Sequence, residues 1–375
     1  MLQIQSLTLR EIALELKEPF QISSGTQSRR RILLIHARDV DGAEGWGECV
    51  AGETPHYGPE TIDTAWVALR EWVIPRVLGH AFGGPEEIHT ALDLNFRGHQ
   101  MAKAAVEMTA WELVARKEGV SLSRKLGGTR SHIHAGISLG IQKSPEALVE
   151  KARQSLARGY KKVKIKVKPG ADVEYVRAVR EALGPDAPLM VDANNAYSLA
   201  DLEALKKLDD LGLIMIEQPL AWDDLLRHAE LQKHLRTPIC LDESITGLDR
   251  VEDMIALGSG RIVNIKPGRV GGFKESIAIH NLCQKHNIPV WCGGMLEGGV
   301  GRAHNVALAS LPNFTIPGDV SPSERYWEKD IVIPEWTMDA EGRIEVPVNR
   351  PGMGVEVDFN RVDDLTVRRE ELTAP

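Results

Sequence analysis

"KVKIKVKP", residues 162–169, alternates lysine with valine and isoleucine. A period of two predicts a β-strand, with Lys164, Lys166 and Lys168 on one face and Val163, Ile165 and Val167 on the other. Taken alone, such a strand is half exposed and its lysines stand in water. Pro169-Gly170 end it, so Lys168 falls past the strand and is solvated.

The surroundings give the inner two lysines a different setting. From about residue 131, eight short apolar runs recur: IHAGISLG (133–140), VKIKV (163–167), PLMVD (188–192), LIMIE (213–217), PICLD (238–242), RIVNIK (261–266), IPVWC (288–292) and FTIPGD (314–319). Helical patterns separate them. Residues 172–184 place Val173, Val176, Val179 and Leu183 on one face, and residues 198–212 place five leucines on one stripe behind Ser198 as N-cap. Gly184 and Gly212 stand where helices stop. Alternating strands and helices predict a parallel sheet, and right-handed crossovers close eight such units into a (β/α)₈ barrel. An open doubly wound sheet is the competing fold, but no glycine fingerprint follows the first strand. The chain before the repeats is α+β in pattern, and residues 343–359 turn strand-like again. The expected division is a capping domain over 1–127, a barrel over 128–324, and a segment over 325–375 that returns to the cap.

Each central strand ends on an ionisable group: Lys166, Asp192, Glu217, Asp242 and Lys266, at intervals of 24 to 26 residues. In a parallel barrel those ends converge on one mouth, the usual place for an active site. One acid at a strand end is an ordinary loop residue; five ionisable groups in step are not. Three carboxylates crowded together repel, and burial unpaired is costly. A divalent cation resolves the conflict, and oxygen-only donors favour Mg²⁺ first and Mn²⁺ second. Asp192, Glu217 and Asp242 are the expected ligands. Lys164 and Lys166 then face inward beside the metal, with Lys266 across the barrel. Desolvation and a nearby cation should push these lysines down from about 10.4 towards a useful base. Two lysines on opposite faces of one carbon can take a proton from one side and return it to the other, while a Lewis acid stabilises the enediolate.

The chain of 375 residues is long enough for a large core. Its 43% apolar and 26% charged content is that of a soluble globular protein. Net charge is -8 without a basic block, which argues against a nucleic-acid partner. No apolar run reaches bilayer length, and the N-terminus lacks a signal-peptide core, so the expected setting is cytoplasmic, with no membrane partner. Cys49, Cys240, Cys283 and Cys292 lack metal or redox spacing and read as buried, reduced thiols.

The motifs "KIK", "VDAN", "IEQP", "LDES" and "NIKPGRVGG", with "GWGECVAGE" (45–53) before them, resemble the enolase superfamily and its muconate-lactonizing subgroup. Mandelate-racemase relatives carry a histidine that has no equivalent here. The resemblance implies a modified TIM barrel with an α+β cap. It also implies a lysine base working with Mg²⁺, a known property of such sites. "CGGMLEGGVGRAHN" (292–305) and "IPGDVSPSERYW" (316–327) resemble the N-acylamino acid racemase/o-succinylbenzoate synthase branch. Dipeptide epimerases carry Asp-x-Asp at the eighth strand, and "GDVS" lacks the second Asp. Gly298 replaces a Thr common among relatives. By resemblance, Lys166 and Lys266 are the acid/base pair, and Lys164 sits near the substrate carboxylate. Asn194 and Glu243 flank the metal ligands. Ser138 and Asp319 are substrate contacts or orienting groups. Phe20, Tyr57 and Met295 line or cover the pocket.

The expected function is racemisation of N-acylamino acids (N-succinyl or N-acetyl). The alternative is syn-dehydration of a cyclohexadiene carboxylate to o-succinylbenzoate in menaquinone synthesis, and one site can serve both. A Schiff-base aldolase needs no carboxylate triad, and a non-catalytic scaffold would not keep five ionisable strand ends. Likeness to the family also implies a homo-oligomer.

Overall fold

The structure, a computed structural model, describes residues 1–22 and 25–374. Its first part is an antiparallel sheet of β1 (Leu2–Ile22), β2 (Gly25–Asp39) and β3 (Glu44–Cys49). Helix α1 (Gln100–Glu118) packs on this sheet and is buried along most of its length.

The second part is a parallel sheet of seven strands in sequence order: β4 (Ile137–Leu139), β5 (Val163–Lys166), β6 (Leu189–Asp192), β7 (Ile216–Glu217), β8 (Ile239–Leu241), β9 (Ile262–Ile265) and β10 (Val290–Cys292). Intervening helices include α2 (Pro145–Ala157), α3 (Val173–Leu183), α4 (Leu202–Asp209), α5 (Leu225–His234), α6 (Leu248–Leu257) and α7 (Phe273–Lys285), and α8 (Gly299–Ala309) follows the last strand. In α3, Val176 and Val179 are buried as the periodicity predicts, Asp172 caps the start, and Gly184 ends it at φ 85°. Ser198 caps a short 3₁₀ turn that leads into α4. Strand β11 (Thr366–Thr373) returns to pair antiparallel with β1. All four cysteines are buried and free. Among the described residues no helix is long and apolar enough to cross a membrane.

Two expected strands come out differently. Run 133–140 is split: His132–His134 pairs antiparallel with Arg343–Glu345, and only Ile137–Leu139 joins the barrel. FTIPGD (314–319) is not a strand. Pro317 has no N–H to donate. The segment instead closes the ring by single parallel bridges, Val290 to Phe314 on one side and Ala135 to Gly318 on the other. The Asp319 N–H donates to the Cys292 carbonyl (2.9 Å), and the Gly136 N–H donates to that of Gly318 (2.6 Å). The approach is so close that a Cβ on Gly318 would lie 2.7 Å from the Cys292 oxygen.

Inward residues lie two apart on each strand, so the interior is layered. Met190, Met215, Cys240, Ile262 and Trp291 form one buried apolar floor. One period further on stand Asp192, Glu217, Asp242 and Asn264, all buried. Two buried carboxylates of the first part reach helices of the second. Glu107 accepts from the N–H groups of Phe273 (2.8 Å) and Lys274 (3.0 Å) at the start of α7. Glu48 accepts from Gly298 (2.9 Å) and Gly301 (2.8 Å) at the start of α8. Helix N-termini attract negative charge, so each contact is both a cap and a bond between the two parts.

Candidate active site

Register places Lys166 beside Asp192 and Asp192 beside Glu217, across β5, β6 and β7. Asp242 follows β8 directly. Lys164 and Lys166 do face inward with these acids, and Lys168 lies half-buried past the strand. The Lys164 ammonium stands 2.8 Å from Asp192 Oδ2, 2.9 Å from Glu217 Oε2 and 3.0 Å from Asp319 Oδ2. Lys166 donates to Asp192 Oδ2 (2.6 Å) and Asn194 Oδ1 (2.6 Å). Lys266 donates to Asp242 Oδ2 (2.8 Å) and sits over the Tyr57 ring, 4.4 Å from its centroid. The Tyr57 hydroxyl donates to Asp242 Oδ1 (2.8 Å).

The electrostatics correct one expectation. Burial alone would lower the pKa of Lys266, but Asp242 opposes it and the net shift is upward. Lys164 is likewise raised, burial being outweighed by Asp192, Asp319 and Glu217. In this arrangement carboxylates face the lysines directly, and their attraction exceeds the cost of desolvation. Burial and the facing Asp192 push Glu217 up. The burial of Asp192 is outweighed by Lys164 and Lys166, which hold it below the usual carboxylate range. Burial also raises Glu243, to about 7, next to Asp242 and Asp192. Its Oε1 accepts from Asn194 (3.1 Å) and Asn195 (3.3 Å).

Among the described residues, no three metal-ligating side chains converge on one point as they stand. Each acid of the triad is turned to a cation of the protein. The donor set nevertheless fits a hard divalent ion: three carboxylates at the ends of successive strands, each at most 1% exposed, supply oxygen donors only.

A cavity of about 550 Å³ opens above these groups. Lys166, Lys266 and Asn194 form its floor, and Phe20, Tyr57 and Met295 are in its wall, so strands of the cap and loops of the barrel both line it. Of the stretch "EPFQISSGTQ", Ser23 and Ser24 lie outside the described residues. Ser138, Lys164 and Asp319 lie deeper, off the described cavity wall. Ser138 is register partner to Lys164, and its buried hydroxyl has no hydrogen-bond partner among the described residues.

Four residues of this network escape the sequence reading. Arg269 pairs with Asp242 and donates to the Tyr57 hydroxyl (3.0 Å). Asn264 donates to Glu217 Oε1 (2.8 Å). Gln218 takes φ 36° and accepts from the N–H groups of Asp242 (3.0 Å) and Ser244 (3.2 Å). Lys162 is wholly buried below Lys164. Period-two spacing marks Asn264 from Lys266 and Lys162 from Lys164; nothing comparable marks Gln218 or Arg269.

A parallel barrel whose lysines and carboxylates meet under a cap shared by both chain ends is the build of an acid/base enzyme. The lysines and carboxylates sit on the barrel strands or directly after them, and most of the other residues around the cavity sit on loops and in the cap. The chain belongs to the enolase superfamily. Residues 147–362 match the family described as enolase C-terminal domain-like, and residues 4–127 match the mandelate racemase/muconate lactonizing enzyme N-terminal domain. The o-succinylbenzoate synthase of Geobacillus stearothermophilus is 48% identical over 365 residues, covering 97% of this chain and 96% of the relative. The N-succinylamino acid racemase of Thermus thermophilus is 48% identical over 374 residues, covering 100% of both. A solved enolase-superfamily structure from Listeria innocua superposes with a TM-score of 0.96 at 39% identity over 100% of both chains.

Proposed function

We propose that the chain racemises N-acylamino acids, N-succinyl or N-acetyl, by 1,1-proton transfer between two lysines. The observation that carries this is that Lys166 and Lys266 face one cavity from β5 and the end of β9, four positions apart in a ring of eight and therefore opposite. Lys166 takes or returns the α-proton on one face of the substrate carbon and Lys266 does so on the other. Lys164 anchors the substrate carboxylate from below. Asn194 and Glu243 orient the groups around Asp192 and Asp242, with Ser138 and Asp319 deeper still. Phe20, Tyr57 and Met295 read the side chain or acyl group. Asp192, Glu217 and Asp242 would hold the divalent cation, Mg²⁺ before Mn²⁺, which supplies Lewis-acid stabilisation of the charge that develops when the α-proton leaves.

The second reading is o-succinylbenzoate synthase activity on a cyclohexadiene carboxylate, favoured by relatives of equal identity that carry either name. Division at 127/128 and 324/325, a homo-oligomer and a cytoplasmic setting belong to the same proposal. The test is α-proton exchange in both enantiomers of N-succinyl- and N-acetyl-amino acids, run beside the dehydration assay. Chelation should abolish activity, and Mg²⁺ or Mn²⁺ should restore it. Glu217→Gln should bind metal weakly while unfolding like the wild type. Full turnover after thorough demetallation would rule the reading out.

A further inference from the structure

The two-lysine scheme leaves Lys162 without a task. Its side chain is wholly buried, and its ammonium lies 3.5 Å from the centroid of the Trp291 ring and 3.2 Å from Asp319 Oδ1. The other Asp319 oxygen is 3.0 Å from Lys164. Trp291 touches both lysines, the Lys164 ammonium being 5.0 Å from its centroid, and its indole N–H donates to Cys240 Sγ (3.3 Å). Burying an ammonium is expensive, and an apolar side chain of similar volume would fill the same floor without that cost. Lys162 lies one strand period deeper than Lys164, wholly buried between Trp291 and Asp319, so Lys164 stands between it and the mouth and contact with substrate does not explain it. Asp319 does. Burial alone would raise this carboxyl, yet Lys162 and Lys164 bring it down to about 2.

We propose that Lys162 is a positioning residue: it holds one oxygen of Asp319 so that the other restrains Lys164 from below and keeps its ammonium aimed at the mouth. The proposal rests on the reading of Lys164 as the anchor of the substrate carboxylate. Without Lys162, both Asp319 oxygens turn to Lys164 and draw it away from the substrate.

The experiment compares Mg²⁺-loaded wild type, Lys162→Met, Asp319→Asn and the double variant. It measures kcat and KM for racemisation of an N-succinylamino acid, and thermal unfolding in parallel. Lys162→Met should raise KM about tenfold, the worth of a charged hydrogen bond, with a smaller change in kcat. Asp319→Asn should do the same. The double variant should have the KM of Asp319→Asn, because Lys162 acts through that carboxylate. Lys162→Met should lower Tm in the wild-type background. In the Asp319→Asn background it should raise Tm, because there the buried lysine has already lost its partner. Multiplying KM effects in the double variant, or a fall in kcat at constant KM in Lys162→Met, would overturn the proposal. If Lys162→Met does not fold, the comparison of Asp319→Asn with the double variant carries the same decision. If the wild type exchanges no α-proton, the functional reading falls, while the inversion in Tm still decides whether Lys162 and Asp319 act as a pair.

Discussion

Lys166 and Lys266 reach the floor of one cavity from opposite sides of the barrel, so their losses should not be equivalent. Replacing either by Ala should cut racemisation by about 10²–10⁴-fold, the usual worth of a general acid or base. Each variant should still exchange the α-proton of one enantiomer with deuterated solvent, and the two should choose opposite enantiomers. Proton NMR in D₂O reads this directly. If both variants exchanged the same enantiomer, the assignment of faces would be wrong. Dehydration needs one base, so there the second lysine mainly stabilises charge, a role whose loss is also severe. Lys→Arg should fail at either site, since arginine stays protonated. These residues are legible in the sequence because each closes one repeat of 24 to 26 residues. Lys162 shares the period of two with Lys164, but nothing in the sequence shows that it is wholly buried against Asp319.

At the level of elements, the exit of β10 leaves no space beside Lys266. A Cβ on Gly293 would lie 2.4 Å from Asn264 Oδ1 and 2.5 Å from Lys266 Cε. Gly293→Ala should therefore move the lysine and lower kcat by about 100-fold, the effect of a misplacement near 1 Å. The variant should remain folded, at a cost of ~1–3 kcal/mol for overpacking. Steady-state kinetics and denaturant melts together check it; an unchanged kcat would show that Lys266 does not need its present position. Helix α8 carries a second test. Burial pushes His304 from 6.5 down to about 4, against the backbone at Trp46. A base with a depressed folded pKa is fully stabilising above its unfolded value and loses that contribution as pH falls through 6.5 towards 4. Relative to His304→Leu, the wild type should lose up to ~3 kcal/mol over that window and nothing above it. Urea melts across the pH series read the difference, and a constant gap would mean that His304 is not buried neutral.

On the scale of the whole molecule, the barrel and its cap are legible because period two and period 3.6 alternate so regularly after residue 131. What is not legible is where neighbours override pattern. The apolar run in FTIPGD is real, but Pro317 cannot join a ladder. Run 133–140 reads as one strand until Arg343–Glu345 claims its first half. Gln218 and Arg269 owe their places to groups some 24 to 27 residues away. The bridging of the ring at residues 314–319 has a dynamic consequence. A sheet stitched at one position has a preferred place to open, whereas β6, β7 and β8 are paired on both sides. In hydrogen exchange the amides around Asp319 should lose protection first and those of β6–β8 last. Asp319 leaves the seam directly into its contact with Lys164, so each opening also slackens the lysine proposed to anchor the substrate. Catalysis should then fade at denaturant concentrations where tryptophan fluorescence still reports a folded barrel: the seam works as a fuse, failing before the structure it protects.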